Sequence, residues 1–225
     1  RCRGLGYTAF KLKIGFGDDT DLRNLTDIAE NLSNNEQMMT DANQGWSVAK
    51  TLGILPKLAA FPLKWLEEPI IATSTPSAWT KIQSASPIPI AAGENIMGTK
   101  NFDDAISSGQ LDVIQPDICK WGGISGNLPV IKNILKSGAR YCPHYLGGGI
   151  GLATSAHLLA AVGGDGLLEV DSNINPLRED LFAPQLTCGK IDIGDSIGIG
   201  IDNQHYQDFL SEHSKIITSN MELKK

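Results

Sequence analysis

The chain has 225 residues, 41% of them hydrophobic and 20% charged, with a formal net charge of −6, which suits a globular protein with room for a full core. The acidic balance and the lack of a basic stripe argue against a nucleic-acid partner, and no apolar run approaches the roughly 20 residues of a membrane helix. Cys2, Cys119, Cys142 and Cys188 are widely spaced with no CxxC pair, so reduced thiols in a cytoplasmic protein are expected.

The first residues, RCRGLGYTAFKLKIG, carry neither a Met nor a signal peptide and enter a strand-like run at once; a fragment or a processed start is expected. Strands are then expected over YTAFKLKI ending near Lys13, EQMMTD ending at Asp41, FPLKWLE at Glu67, IPIAAGE at Glu94, LDVIQPD at Asp117, ARYCPH at His144 and DGLLEV near Glu169. Helix-compatible segments lie between them at 20–34, 47–60, 75–85, 101–108, 125–137 and 152–162. The strand ends follow one another at intervals of 23 to 28 residues. One strand and one helix per period is a βα unit, and repeated units give a parallel sheet. Seven such strands suit a (β/α) barrel better than an open sheet. Beyond them, 186–202 alternates loosely and is expected to form short strands, and 211–225 reads as a polar, frayed terminus.

Lys, Asp, Glu, Glu, Asp, His and Glu stand at successive C-terminal strand ends, the face on which barrel enzymes build their sites. Any one of them could be a helix cap or a surface ion pair, and Asp41 and Asp117 in particular suit a cap. In phase along the chain, they read better as one site. Asp41, Glu67 and Glu94 come from consecutive strands and can converge, and three converging carboxylates stay ionised only around a cation. An all-oxygen donor set favours Mg²⁺ over Zn²⁺. A glycosidase-type carboxylate pair would explain two of the three acids but not Lys11 and Lys13.

Those lysines alternate on one strand and share a face. A second cation and a metal nearby would lower the pKa of Lys13 and leave a neutral amine able to accept a proton. Asp117 and His144 end neighbouring strands, where a carboxylate fixes the tautomer of an imidazole and raises its basicity. In WLEEP, strand alternation sends Glu67 inward and Glu68 toward the rim or helix layer, where a basic neighbour is expected. By the same phase, Lys120 is expected to point away from the site.

KLK at 11–13, DANQGW at 41–46, WLEEP at 65–69, AAGEN at 91–95, QPDICKWGG at 115–123, CPH at 142–144 and LLEVD at 167–171 run in order through most of the chain. In these motifs the sequence resembles the barrel domain of the enolase superfamily, and within it the mandelate racemase-like group. The resemblance implies a (β/α)7β-type barrel with Asp41, Glu67 and Glu94 as Mg²⁺ ligands. It implies Lys13 as one base, with Lys11 tuning it and holding the substrate carboxylate. It also implies His144 with Asp117 as the base or acid on the opposite side, and Glu169, protonated, as a hydrogen-bond donor to the enolate. Muconate-lactonising relatives carry a lysine where Asp117 stands, so Asp117 and His144 select the mandelate racemase-like branch. The activity implied is abstraction of a proton α to a carboxylate, with dehydration of a sugar acid ranked above racemisation or epimerisation.

The resemblance further implies a small carboxylate substrate, a homo-oligomer, and a first strand and capping domain that precede Arg1 in relatives. Residues 1–175 would then be a partial barrel with an open edge, and 176–225 a tail that packs against the cap. Two rivals come from other classes. GGGIG at 147–151 between a strand and a helix suggests a nucleotide-dependent dehydrogenase, but the GxGxxG frame fails at Leu152 or at Thr154. Those glycines read instead as a loop admitting close approach of substrate to backbone, with a helix N-terminus toward an anion. The other rival is a non-catalytic barrel that keeps only the metal site. His157 and the four tryptophans read as packing residues.

Overall fold

The computed structural model describes residues 1–182, 186–201 and 203–213. After a 3₁₀ turn at Arg3–Leu5, strands and helices alternate: β1 (Ala9–Lys13), α1 (Asp18–Glu30), β2 (Gln37–Asp41), α2 (Val48–Leu58), β3 (Leu63–Glu67), α3 (Pro76–Ala85), β4 (Ile90–Ala92), α4 (Thr99–Ser108), β5 (Val113–Ile114), α5 (Gly123–Ser137), β6 (Arg140–Tyr141) and α6 (Gly149–Val162). The six strands form one parallel sheet in sequence order, β1-β2-β3-β4-β5-β6. All six helices expected from periodicity are present, each within a few residues of its expected bounds. The tail adds α7 (Pro176–Glu179), a hairpin of β7 (Leu186–Thr187) and β8 (Lys190–Ile191), and α8 (Asn203–His213). The expected frayed terminus overlaps the end of α8 at 211–213, and its remainder lies outside the described residues.

Parallel strands covered on both sides need apolar residues on both faces, and the core divides accordingly. Toward the helices, Met38, Leu66, Ile90, Ile114 and Tyr141 pack with Leu25, Ile54, Leu58, Ile82, Phe102 and Ile131. Inside the curve of the sheet, Met39, Trp65, Ala91, Val113 and Cys142 form a second, smaller cluster. The sheet curls far enough for the segment beside β6 to reach β1: Lys11 on β1 lies 2.7 Å from Glu169, which follows α6 in the chain.

The expected seventh strand at 165–170 does not form a ladder. It is held beside the end of β6 by Glu169 N–H donating to the Pro143 carbonyl at 3.3 Å and Leu167 N–H donating to Cys142 Sγ at 3.3 Å. Strands β4 to β6 are also shorter than expected, because Gly93, Pro116 and Pro143 follow them closely and a proline has no N–H to give a ladder. The tail hairpin lies against the start of the chain, with Gly189 N–H donating to the Gly6 carbonyl at 2.9 Å.

Candidate active site

Register places three site residues in one row. Lys13 pairs with Asp41 across β1 and β2, and Asp41 pairs with Glu67 across β2 and β3. All three point inward, on the side of Met39 and Trp65, because alternation from those buried neighbours puts them there. Glu94, Asp117 and His144 sit two or three residues past β4, β5 and β6, so loops rather than strand phase aim them. Gly93 makes the first of these turns: its φ is +152°, and a Cβ there would collide with the backbone of Gln115 on the neighbouring strand's extension.

Asp41, Glu67, Glu94, Asp117 and His144 are all at most 6% exposed, and each is paired. Lys13 donates to Asp41 Oδ2. Lys11 donates to Glu67 Oε1 at 2.6 Å and lies 3.7 Å from Asp41. Glu67 also accepts from Trp65 Nε1 at 3.1 Å and from Gln115 Nε2 at 2.7 Å. His144 Nδ1 meets Asp117 Oδ2 at 2.7 Å, and its Nε2 meets Glu94 Oε2. Glu169 Oε2 lies 3.7 Å from His144 Nε2. Every strand-end residue expected at the site is therefore within one connected network.

Several features of the network bear on the sequence reading. Burial works against the charge of Lys13, but in the protein alone its hydrogen bond and attraction to Asp41 prevail and hold it above its ordinary value. Lys11 is raised too, because the carboxylates of Glu67, Glu169 and Asp41 together outweigh its burial. Asp41 and Asp117 cap no helix, since Ser47 caps α2 and Gly122 precedes α5. Each instead folds its own loop, with Asp41 accepting from Asn43 N–H at 2.7 Å and Asp117 from Cys119 N–H at 2.7 Å. Lys120 points at the site after all, 3.4 Å from Glu94 Oε1, because it belongs to a loop where strand phase does not apply.

Glu68 departs from the sequence expectation. It is 1% exposed and makes no ion pair among the described residues; its carboxylate accepts from Asn95 Nδ2 at 3.0 and 2.9 Å. Its φ of +40° breaks the strand alternation, at a cost on the order of 1 kcal/mol for a non-glycine residue. Burial, with Glu94, Asp41 and Glu67 nearby, pushes its carboxyl up to about 7. In GGGIG, Gly147 and Gly151 pack on Tyr145, Gly151 also on Cys119, and Gly149 on Leu181 and Arg178, so these glycines admit close protein contacts. His157 bonds the Ala153 carbonyl at 2.8 Å, as a packing residue would.

Trp65, Gln115, Asn95 and Glu68 were not read from sequence as site residues. Trp65 and Gln115 stand two residues before Glu67 and Asp117, a period-two signal that was available. Nothing in the sequence marks Asn95 or the turned backbone at Glu68.

Burial would raise the Glu94 carboxyl, but its hydrogen bond to His144 and that residue's charge bring it down to about 2. Burial would lower His144, yet its bonds to Asp117 and Glu94 push it up to about 9 from 6.5. Asp117 is lowered, its bond to His144 outweighing burial. The imidazolium therefore adds stability that is fully present below pH 6.5 and is lost as the pH rises through about 9. The paired carboxylates add stability that is present above their ordinary values of 3.8 to 4.5 and is lost on acidification. In chelator, the melting point of the chain should exceed that of His144→Gln most between about pH 4.5 and 6.5, by on the order of 2 kcal/mol or about 5 °C. That gap should shrink toward pH 10; a gap as wide at pH 10 as at pH 5.5 would contradict the pairing.

Whether these residues fit a metal ion depends on donor chemistry and on arrangement. Among the described residues, no group of three Asp, Glu, His or Cys side chains is gathered to hold an ion as it stands, because each carboxylate has closed on a lysine or on His144. The donors themselves suit a hard divalent ion: three buried carboxylates on adjacent loops and strand ends, with Gln115 Oε1 and Glu169 Oε2 buried beside them without hydrogen-bond partners. No helix among the described residues is long and apolar enough to cross a membrane.

The family model described as "Enolase C-terminal domain-like" matches residues 1–206. The chain belongs to the enolase superfamily. It is 31% identical over 210 residues to the D-galactarolactone cycloisomerase of Agrobacterium fabrum, covering 89% of this chain and 55% of that protein. It is 31% identical over 196 residues to the L-talarate/galactarate dehydratase of Salmonella typhimurium, covering 87% and 47%. A mandelate racemase/muconate lactonizing enzyme structure from Bordetella bronchiseptica RB50 superposes with a TM-score of 0.87 at 46% identity, over 90% of this chain and 57% of that one. A superfamily racemase from Streptomyces coelicolor A3(2), crystallised with bound magnesium, superposes with a TM-score of 0.80 at 25% identity over 91% and 55%. The chain spans about half the length of the curated superfamily relatives it matches.

Proposed function

We propose that this site carries out Mg²⁺-dependent abstraction of a proton α to a carboxylate, and that the net reaction is dehydration of an aldonic or aldaric acid to a 2-keto-3-deoxy acid. The observation that carries this reading is the pairing of two proton-transfer groups across a carboxylate cluster. Lys13 lies on β1 with its side chain 49% exposed, open to a substrate. His144, backed by Asp117, lies on the loop after β6. The names of superfamily relatives point to the same chemistry on sugar acids.

Asp41, Glu67 and Glu94 would hold the ion, which when bound supplies charge to offset the second negative charge that forms on a deprotonated carboxylate. Lys11, inside the barrel against Glu67 and Glu169, adds fixed positive charge at the same place. Pairing with Asp41 holds Lys13 charged in the protein alone; were that carboxylate given over to the ion, the amine of Lys13 would be free to lose its proton and take the α-proton. The electron pair left on the α-carbon expels the β-hydroxyl as the C–O bond breaks, and the imidazolium of His144 protonates that oxygen to release water. Asp117, bonded to His144 Nδ1, supports the charged imidazole and would keep this acid loaded at neutral pH. The resulting enol becomes the 2-keto acid. Glu169 Oε2, buried without a hydrogen-bond partner and 3.7 Å from His144 Nε2, would meet a substrate oxygen.

The second reading is racemisation or epimerisation, favoured by the presence of two candidate bases, where the α-carbon is reprotonated from the other side instead of eliminating. Incubation with Mg²⁺ and a panel of aldonic and aldaric acids, followed by semicarbazide detection of 2-keto acids and chromatography for epimers, separates the two. A 2-keto product supports dehydration and epimer alone supports the second reading. Neither product, from the chain or from a longer protein that contains it, overturns both.

A further inference from the structure

Asn95 stands at the junction of two acidic side chains that have no other obvious reason to be neighbours. Its single Nδ2 lies 2.9 Å from Glu94 Oε1 and 2.9 and 3.0 Å from the two oxygens of Glu68. Both carboxylates are acceptors only, so the amide must present its nitrogen to them. The backbone of Glu68 is pinned on both sides. Its N–H donates to the Ala91 carbonyl at 2.9 Å and its carbonyl accepts from Gln44 N–H at 2.8 Å. The φ of +40° that these bonds impose turns the Glu68 side chain out of strand alternation and toward Asn95. A strained, buried acid held in this way calls for a role, and an apolar residue would fill the space without the charge. Glu94 is left with one oxygen on Asn95 and Lys120 and the other on His144.

We propose that Asn95, anchored by Glu68, is a positioning residue that fixes the Glu94 carboxylate for cation binding, in the way that outer hydrogen bonds orient metal ligands. This rests on the reading of Glu94 as an Mg²⁺ ligand. Glu68 acts only through Asn95, so their effects should not add.

Calorimetric titration of the chain with MgCl₂ tests this without any substrate, with thermal melting in chelator as the control for folding. Asn95→Ala is expected to weaken Mg²⁺ binding by about 10- to 100-fold. Glu68→Ala should weaken it comparably, and the double variant should be no weaker than Asn95→Ala alone. Glu68→Gln keeps one acceptor for the amide and should recover most of the loss. Binding unchanged in Asn95→Ala, additive losses in the double variant, or equal losses in Glu68→Ala and Glu68→Gln would each overturn the proposal. Should Asn95→Ala fail to fold, the two Glu68 variants decide it alone. No Mg²⁺ binding by the unsubstituted chain would instead overturn the metal reading on which it stands.

Discussion

Lys13→Ala is expected to slow exchange of the substrate α-proton, and His144→Asn to slow formation of the 2-keto product, each by about 1,000-fold while Mg²⁺ binding is retained, since a positioned acid or base contributes roughly 10² to 10⁴. The two groups are not interchangeable. Lys13 is half exposed and touches Asp41, so its replacement removes a proton acceptor at little cost to the core. His144 is 5% exposed and links Asp117 to Glu94, so Asn keeps a polar side chain in that space but carries no transferable proton. With an epimerising substrate, each variant should still exchange the proton of one configuration and lose the other. With a dehydrating substrate, both should lose product. Exchange assayed by proton NMR in D₂O, with Mg²⁺ titrated in parallel, gives both readouts. A variant that loses exchange only because it no longer binds Mg²⁺ would deny it the role of base or acid. Near-normal exchange in Lys13→Ala, or near-normal product formation in His144→Asn, would remove that residue from the chemistry, and the two together would leave a metal-binding barrel without the proposed mechanism.

Asp41→Asn and Glu67→Gln are expected to weaken Mg²⁺ binding by at least about 100-fold, more than the loss of an outer-sphere partner. Each keeps the shape of the side chain and its ability to accept a hydrogen bond, so Lys13 and Lys11 retain a partner and the fold should persist. What is lost is charge. Burial pushes Glu67 up to about 7, with attraction to Lys11 opposing and repulsion from Asp41 and Glu169 adding to the rise. Because Glu67 carries more of its negative charge above that value, Mg²⁺ binding by the chain should tighten from pH 6 to 8, and this pH dependence should be weaker in Glu67→Gln. Calorimetry at the two pH values measures it. Affinity unchanged in both variants would place the cation elsewhere.

The C-terminal ends of the first three strands were legible to the residue. The runs ending KLK, MMTD and KWLE give strands that stop at Lys13, Asp41 and Glu67, and alternation alone puts those side chains inward. Later strands were harder because Gly93, Pro116 and Pro143 cut them short. Glu94, Asp117 and His144 reach the site through loops, which their spacing located but could not aim. The same limit explains Lys120, assigned outward by a strand phase that ends at Ile114. Glu68 was misplaced for a different reason. Its orientation follows from a left-handed backbone fixed by Gln44 and Ala91, and long-range bonds of that kind leave no local mark in the sequence.

The central claim is that a divalent ion held by Asp41, Glu67 and Glu94 allows Lys13 and His144 to move a proton at the carbon α to a carboxylate. The direct measurement is loss of the α-proton signal by NMR when sugar acids are incubated in D₂O with the chain, or a longer protein that contains it, before and after removal of Mg²⁺ with a chelator. Exchange with at least one acid that stops on chelation and returns with added Mg²⁺ is the result this account predicts. Absence of exchange with every acid, or exchange that continues undiminished in chelator, would contradict it.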